Sequence, residues 1–275
     1  MDDGEFEAFI DDLLDAFPAR EYGDTALARA LAYPWARPEG SFRLVDGVVD
    51  ELAGMGEEER AAVCSEFAAD GGRHPVLAIG ANGSPEGLER KFAHFPEPED
   101  RRTLVLSGWL HDFDIGAAAQ HTIYGALPAT PFPSPGTAVR AALLWVTATQ
   151  LTQLAWTEVS YRLGRLRTRF EVDGGEERFD EVLVFVSRFG AFHRGAGPVA
   201  LAAIPARGRT AAALTQEELL DAAAELVLGP GANAEALLRA AFDDLGGTAR
   251  KASRLCGQSI PFASDRWVPY GAATP

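Results

Sequence analysis

The chain has 275 residues, 47% of them hydrophobic, and carries 25 basic against 40 acidic side chains for a net charge of −15. That length buries one sizeable core, and an acidic excess of this size repels phosphate backbones and anionic lipid, which excludes nucleic acid and membrane surfaces as expected partners. Two separated cysteines, Cys64 and Cys256, make neither a thiolate metal cage nor a secreted disulfide framework. Met1, Asp2 and Asp3 stand where an export signal would be basic and then apolar, so the expected location is the cytoplasm.

Along the chain, Phe6, Phe9, Ile10, Leu13, Leu14 and Phe17 recur at helical spacing opposite Asp11, Asp12 and Asp15, which predicts an amphipathic helix. Further helical patterns cover Asp24 to Tyr33, Leu44 to Met55 and Glu57 to Ala69, so residues 1–72 read as an acidic helical region closed by Asp70-Gly71-Gly72. The pattern then switches. Val76 to Ile79 is a short apolar strand ending in Gly80, and SPEGLERKF at Ser84 to Phe92 reads as a capped helix. Strands follow at Thr103 to Leu110, Ala126 to Thr130 and Val139 to Val146, with Ser134-Pro135-Gly136 as a turn before the third. Thr149 to Thr157 predicts a short helix, and Tyr161 to Val172 with Asp180 to Ser187 a hairpin around Asp173-Gly174-Gly175. Past Arg207 the pattern is helical again. Thr215 with Glu218 forms a capping box before Leu219 and Leu220, a last helix spans Ala234 to Leu245, and an extended tail carries Trp267 and Tyr270. The domain reading is thus 1–72, 73–211 and 212–275.

Chemistry is sparse outside one constellation. His111, Asp112 and Asp114 suggest a metal pair, but neighbouring residues of a strand point to opposite faces, so they read as structural and no metal is expected. Cys64 shares an apolar helix face with Val63 and Phe67 and reads as packing. Trp109, Trp145 and Trp156 read as core or pocket-wall residues. The loop Ile79-Gly80-Ala81-Asn82-Gly83 lies between a strand end and a helix start, where backbone N–H groups are able to cradle an oxyanion or carboxylate. Downstream, a strand and a helix lead to Glu158 and Tyr161.

This order resembles the gamma-glutamylcyclotransferase-like family. Its Tyr-Gly-Ser-Asn motif corresponds to Ile79, Gly80, Ala81 and Asn82; LHDFDIG at Leu110 to Gly116 and YGALPATPFPSPGTAV at Tyr124 to Val139 are similar to its next segments. LLWVTATQLTQLAWTE resembles the strand and helix before the family's catalytic glutamate, which falls on Glu158, with Tyr161 matching a downstream tyrosine. The resemblance covers about half of the chain and implies an α+β fold: a small mixed β-barrel-like domain, here with helical N- and C-terminal additions. It implies a cofactor-free reaction in which Glu158 takes a proton from the alpha-amine of a gamma-glutamyl-type substrate, the amine closes on its own gamma-carbonyl, and 5-oxoproline and a free amine result. Ile79 and Ala81 depart from the motif and remove two hydroxyls. That departure motivates the alternative, a catalytically silent protein that keeps the pocket and binds small molecules. No oligomeric state follows from the sequence.

Overall fold

The computed structural model describes residues 21–271 apart from 24, 70–71, 175–176 and 196. The amphipathic segment Phe6 to Phe17 lies outside the described residues. Within them the principal strands are β1 (Phe42–Val45), β2 (Val48–Glu51), β3 (His74–Ala78), β4 (Arg102–Ala117), β5 (Ala129–Val146), β6 (Tyr161–Val172) and β7 (Arg178–Ser187). The helices are α1 (Ala26–Leu31), α2 (Glu57–Ala69), α3 (Pro85–Phe92), α4 (Ala148–Thr157), α5 (Gln216–Leu228), α6 (Ala234–Asp243) and α7 (Leu245–Cys256). None of them is long and apolar enough to cross a membrane.

Strands β4, β5, β3, β7 and β6 pair in that order and β6 returns to β4, which closes a five-stranded barrel. Only the β3–β7 pair is parallel, so the barrel is mixed and the fold is α+β. Period-two alternation assigns the two faces of each strand. Leu77, Leu106, Leu143, Leu166 and Val184, one from each strand, belong to a single buried cluster, which is the barrel interior. Their neighbours Val76, Val105, Leu144 and Leu183 pack outward against Leu88 and Phe92 of α3 and Leu151 and Leu154 of α4. Burial on both faces explains why β3 and β7 read as unbroken apolar runs.

Four sequence readings change. The segment from Leu44 to Met55 is not a helix: β1 and β2 form a hairpin that pairs with β4, followed by a 3-10 turn at Leu52–Gly54. Asp46 and Gly47, at φ +46° and +79°, make its two-residue turn, the conformation that Asp-Gly favours. Ser134-Pro135-Gly136 does not reverse the chain, because β5 runs through it from Ala129 to Val146. Pro131, Pro133 and Pro135 alternate, so their missing N–H groups share one strand edge, and there β5 pairs only with β4. The turn residues instead face a register shift between His111 and Phe113, where Asp112 takes φ +62° and its carboxylate accepts the Gly136 N–H at 3.1 Å. Helix α7 follows the expected last helix; Gly246 and Gly247 suggest a break, but Asp244 caps α7 by accepting the Gly247 N–H at 2.8 Å. Trp156 is not core: it is 72% exposed and lines an open groove.

The flanking helices meet each other and the barrel end. Leu219 and Leu220 of α5 and Leu237 and Leu238 of α6 are fully buried, and Gln216 Nε2 donates to the Leu127 carbonyl at 3.0 Å. Gly125, at φ +93°, lies where a Cβ would meet Leu238 and Ala30, so an N-terminal and a C-terminal helix converge on it. The tail adds a strand at Trp267–Pro269 to β6, with Trp267 edge-on to Phe262. The Thr215–Glu218 capping box is formed, with each side chain bonded to the other residue's backbone N–H. Thr215→Ala is expected to cost about 1 kcal/mol of stability, read as a lower denaturant midpoint at constant slope; an unchanged midpoint would show that tertiary packing alone holds the start of α5.

Candidate functional site

The site forms where β3 ends against the last turn of α4. After Ala78 the chain passes buried Ile79, turns at Gly80 and makes one 3-10 turn through Ala81–Gly83. Ser84 stops the turn and starts α3: its Oγ donates to the Ala81 carbonyl at 2.9 Å and accepts the Gly87 N–H at 3.1 Å. The Asn82 side chain is thereby held toward α4.

Glu158 follows α4 directly. A capping box at Thr147 and Gln150 fixes the start of that helix, and the Glu158 N–H donates to Leu154 O at 2.9 Å at its end. Glu158 Oε1 accepts from Asn82 Nδ2 and from Lys91 Nζ, each at 3.0 Å, and Lys91 Nζ also donates to Asn82 Oδ1 at 2.7 Å. The three side chains form a closed triangle. Lys91 is 9% exposed, so its charge is nearly out of water and needs Glu158 as its counter-ion.

Around this triangle stand three tyrosines. Tyr161 Oη donates to the Ala129 carbonyl at 2.9 Å, while the Ala129 N–H donates to Tyr33 Oη at 2.8 Å, so one residue of β5 joins two phenols. Tyr33 stacks on Tyr124 at 6.1 Å between ring centroids. Burial pushes all three phenols up, and the negative charge of Glu158 adds to the rise in each. The neutral phenol is therefore the working form across the physiological range. On its other side Glu158 borders an open groove of about 630 Å³, shared with Tyr161, Leu151, Trp156, Arg188 and Tyr270.

Of the residues singled out in the sequence, the structure brings Gly80, Asn82, Glu158 and Tyr161 to one place; Ile79, Ala81 and Gly83 frame the loop. Sequence reasoning missed Lys91, Tyr33 and Tyr124. Lys91 had a signal: it stands three residues after Leu88 and one before Phe92, on the buried face of α3, where a lysine requires a partner. The two tyrosines arrive from distant segments and had none. The triad His111, Asp112 and Asp114 diverges, with the register shift at Asp112 parting the two aspartates: His111 meets Glu171, Asp112 meets Arg266, and buried Asp114 is gripped by Arg209. Cys64 is half-buried and burial pushes its thiol up, which keeps it protonated.

No family model and no curated protein matches this chain. It is similar to several solved structures. One from Arabidopsis thaliana is 19% identical at a TM-score of 0.33, over 42% of this chain and 70% of that one. A human protein described as uncharacterized is 15% identical at a TM-score of 0.34, over 42% and 67%. A gamma-glutamyl cyclotransferase is among these neighbours. It is 16% identical at a TM-score of 0.33, over 42% of this chain and 66% of that one. Likenesses of this size carry no activity across, and a functional reading rests on the side-chain geometry.

Proposed function

We propose that the chain is a gamma-glutamylcyclotransferase-like enzyme that converts a gamma-glutamyl amide to 5-oxoproline and a free amine. The observation that supports it is the Glu158 carboxylate, anchored by Asn82 of the Gly80 loop and by Lys91 through Oε1. Both bonds fall on that oxygen, which leaves Oε2 to take a proton. In the reaction the alpha-amine nitrogen bonds to the gamma-carbonyl carbon while its proton passes to Glu158. The carbonyl then re-forms, the bond to the leaving nitrogen breaks, and the proton moves from Glu158 to that nitrogen. The chemistry is intramolecular, so the protein needs to fold the substrate, place one base and offer donors to the oxyanion.

A specific observation favours the silent binding protein as the second reading: Lys91 already neutralises Glu158, and Tyr33 already holds the Ala129 N–H beside the loop. A panel of gamma-glutamyl amides assayed for 5-oxoproline separates the two. Release above the uncatalysed rate is the expected result; binding of the same compounds without release would establish the silent reading.

A further inference from the structure

Residues 32–37 form a strap across the Gly80 loop. Helix α1 leads into Tyr33, which is 4% exposed and whose hydroxyl stands so close to Gly80 that a Cβ there would lie 2.2 Å from it. Farther along, Arg37 crosses Gly83, where a Cβ would lie 2.8 Å from its Nη1. The chain thus covers both bare glycines of the loop with its own side chains. At Gly80 the covering atom is an oxygen held by a backbone N–H, which is what a bound carbonyl or carboxylate would also bring.

The strap has no strand pairing to the barrel: Tyr33 and Trp35 are buried in the same apolar cluster as the barrel interior through ring contacts with each other and with Tyr124, and the rest of its hold lies at the surface. Trp35 takes φ +66°, a strained conformation for a large side chain. The guanidinium groups of Arg29 and Arg90 lie 4.5 and 5.4 Å from its ring centroid, and its Nε1 donates to the Arg29 carbonyl at 3.1 Å. Arg29 in turn pairs with Glu86 at 2.8 Å on the exposed surface of α3. Stacked guanidinium groups and one exposed ion pair are individually weak and screened by salt. A segment outside the strand pairing opens at a lower cost than the closed barrel.

We propose that the strap is a gate: Tyr33 Oη is an internal ligand of the Gly80 loop, and a molecule bearing a carbonyl or carboxylate oxygen occupies that place only after the strap lifts. The identity of that molecule rests on the proposed function; the lifting does not. Because only the open fraction binds, apparent affinity falls by that fraction, and loosening the strap tightens binding.

Native-state hydrogen exchange on the full chain tests the gate without any ligand. The Ala129 amide is expected to exchange on the order of 100-fold faster than those of Leu143 and Val184 in the barrel, as a sub-global opening requires. Arg29→Ala, which removes the surface ion pair and one guanidinium over the Trp35 ring, is expected to speed Ala129 about another ten-fold and leave Leu143 and Val184 unchanged. Ala129 exchanging at the barrel rate, or indifferent to Arg29→Ala, overturns the gate. A second arm uses gamma-glutamyl-alanine: where turnover is seen, Arg29→Ala and Tyr33→Phe lower KM several-fold, and an unchanged KM counts against the gate. If neither the natural chain nor the variants release 5-oxoproline, the proposed function fails while the exchange rates still decide the gate.

Discussion

Replacing Glu158 by Gln is expected to lower turnover of gamma-glutamyl amides by about two orders of magnitude or more, because the amide keeps the size of the carboxylate but cannot accept a proton. The structure adds a consequence for stability. Lys91 loses its counter-ion and keeps only the neutral oxygens of Asn82 and of the new amide, so a nearly buried ammonium is left without an opposite charge. Glu158 is itself about one-fifth exposed, so the loss is discounted for solvent and comes to about 1–3 kcal/mol. Turnover and the denaturant midpoint are therefore measured together, and Lys91→Met in the Gln background, which removes the orphaned charge, is expected to recover much of the midpoint but none of the turnover. Turnover within a factor of a few of the natural chain would sink the assignment of Glu158 as the base.

Asp114→Ala carries the largest expected stability effect. Asp114 is fully buried, and its two oxygens accept from Arg209 Nε and Nη2, each at 2.8 Å, while Oδ1 also accepts the Ile115 N–H. Arg209 further donates to the Ile204 carbonyl at 3.0 Å, so this pair ties β4 to the segment that leads toward α5. Removing the carboxylate strands a largely buried guanidinium, and breaking such a pair costs about 3–5 kcal/mol, a large share of the 5–15 kcal/mol typical of a folded chain. Equilibrium unfolding should show a much lower midpoint with the slope unchanged. A shift below about 0.5 kcal/mol would mean that the Asp114–Arg209 pair is not what joins these segments.

Where local chemistry is decisive, the sequence was legible. The cap at Ser84, the capping box at Thr215, and the double-buried runs of β3 and β7 each depend on residues a few positions apart. The Asp46-Gly47 hairpin was also written locally, but its apolar residues match helical spacing as well, and only pairing with β4 decides between them. The Ser134-Pro135-Gly136 segment shows the opposite case: turn chemistry was present, yet β4 on one side keeps the strand extended and converts the turn into a bulge.

For the site the division is the same. The Gly80–Asn82 loop, the helix that ends on Glu158, and Tyr161 could be read from the residues, because each is a feature of one short segment. Folding alone makes Lys91 share an oxygen of Glu158 with Asn82, joins Tyr33 to Tyr161 through Ala129, and stands Tyr33 against Gly80. These contacts join residues between 32 and 96 positions apart, and neither helical nor strand periodicity extends that far. Their partners are chosen by barrel closure, which brings distant segments within hydrogen-bond reach after the local elements have formed.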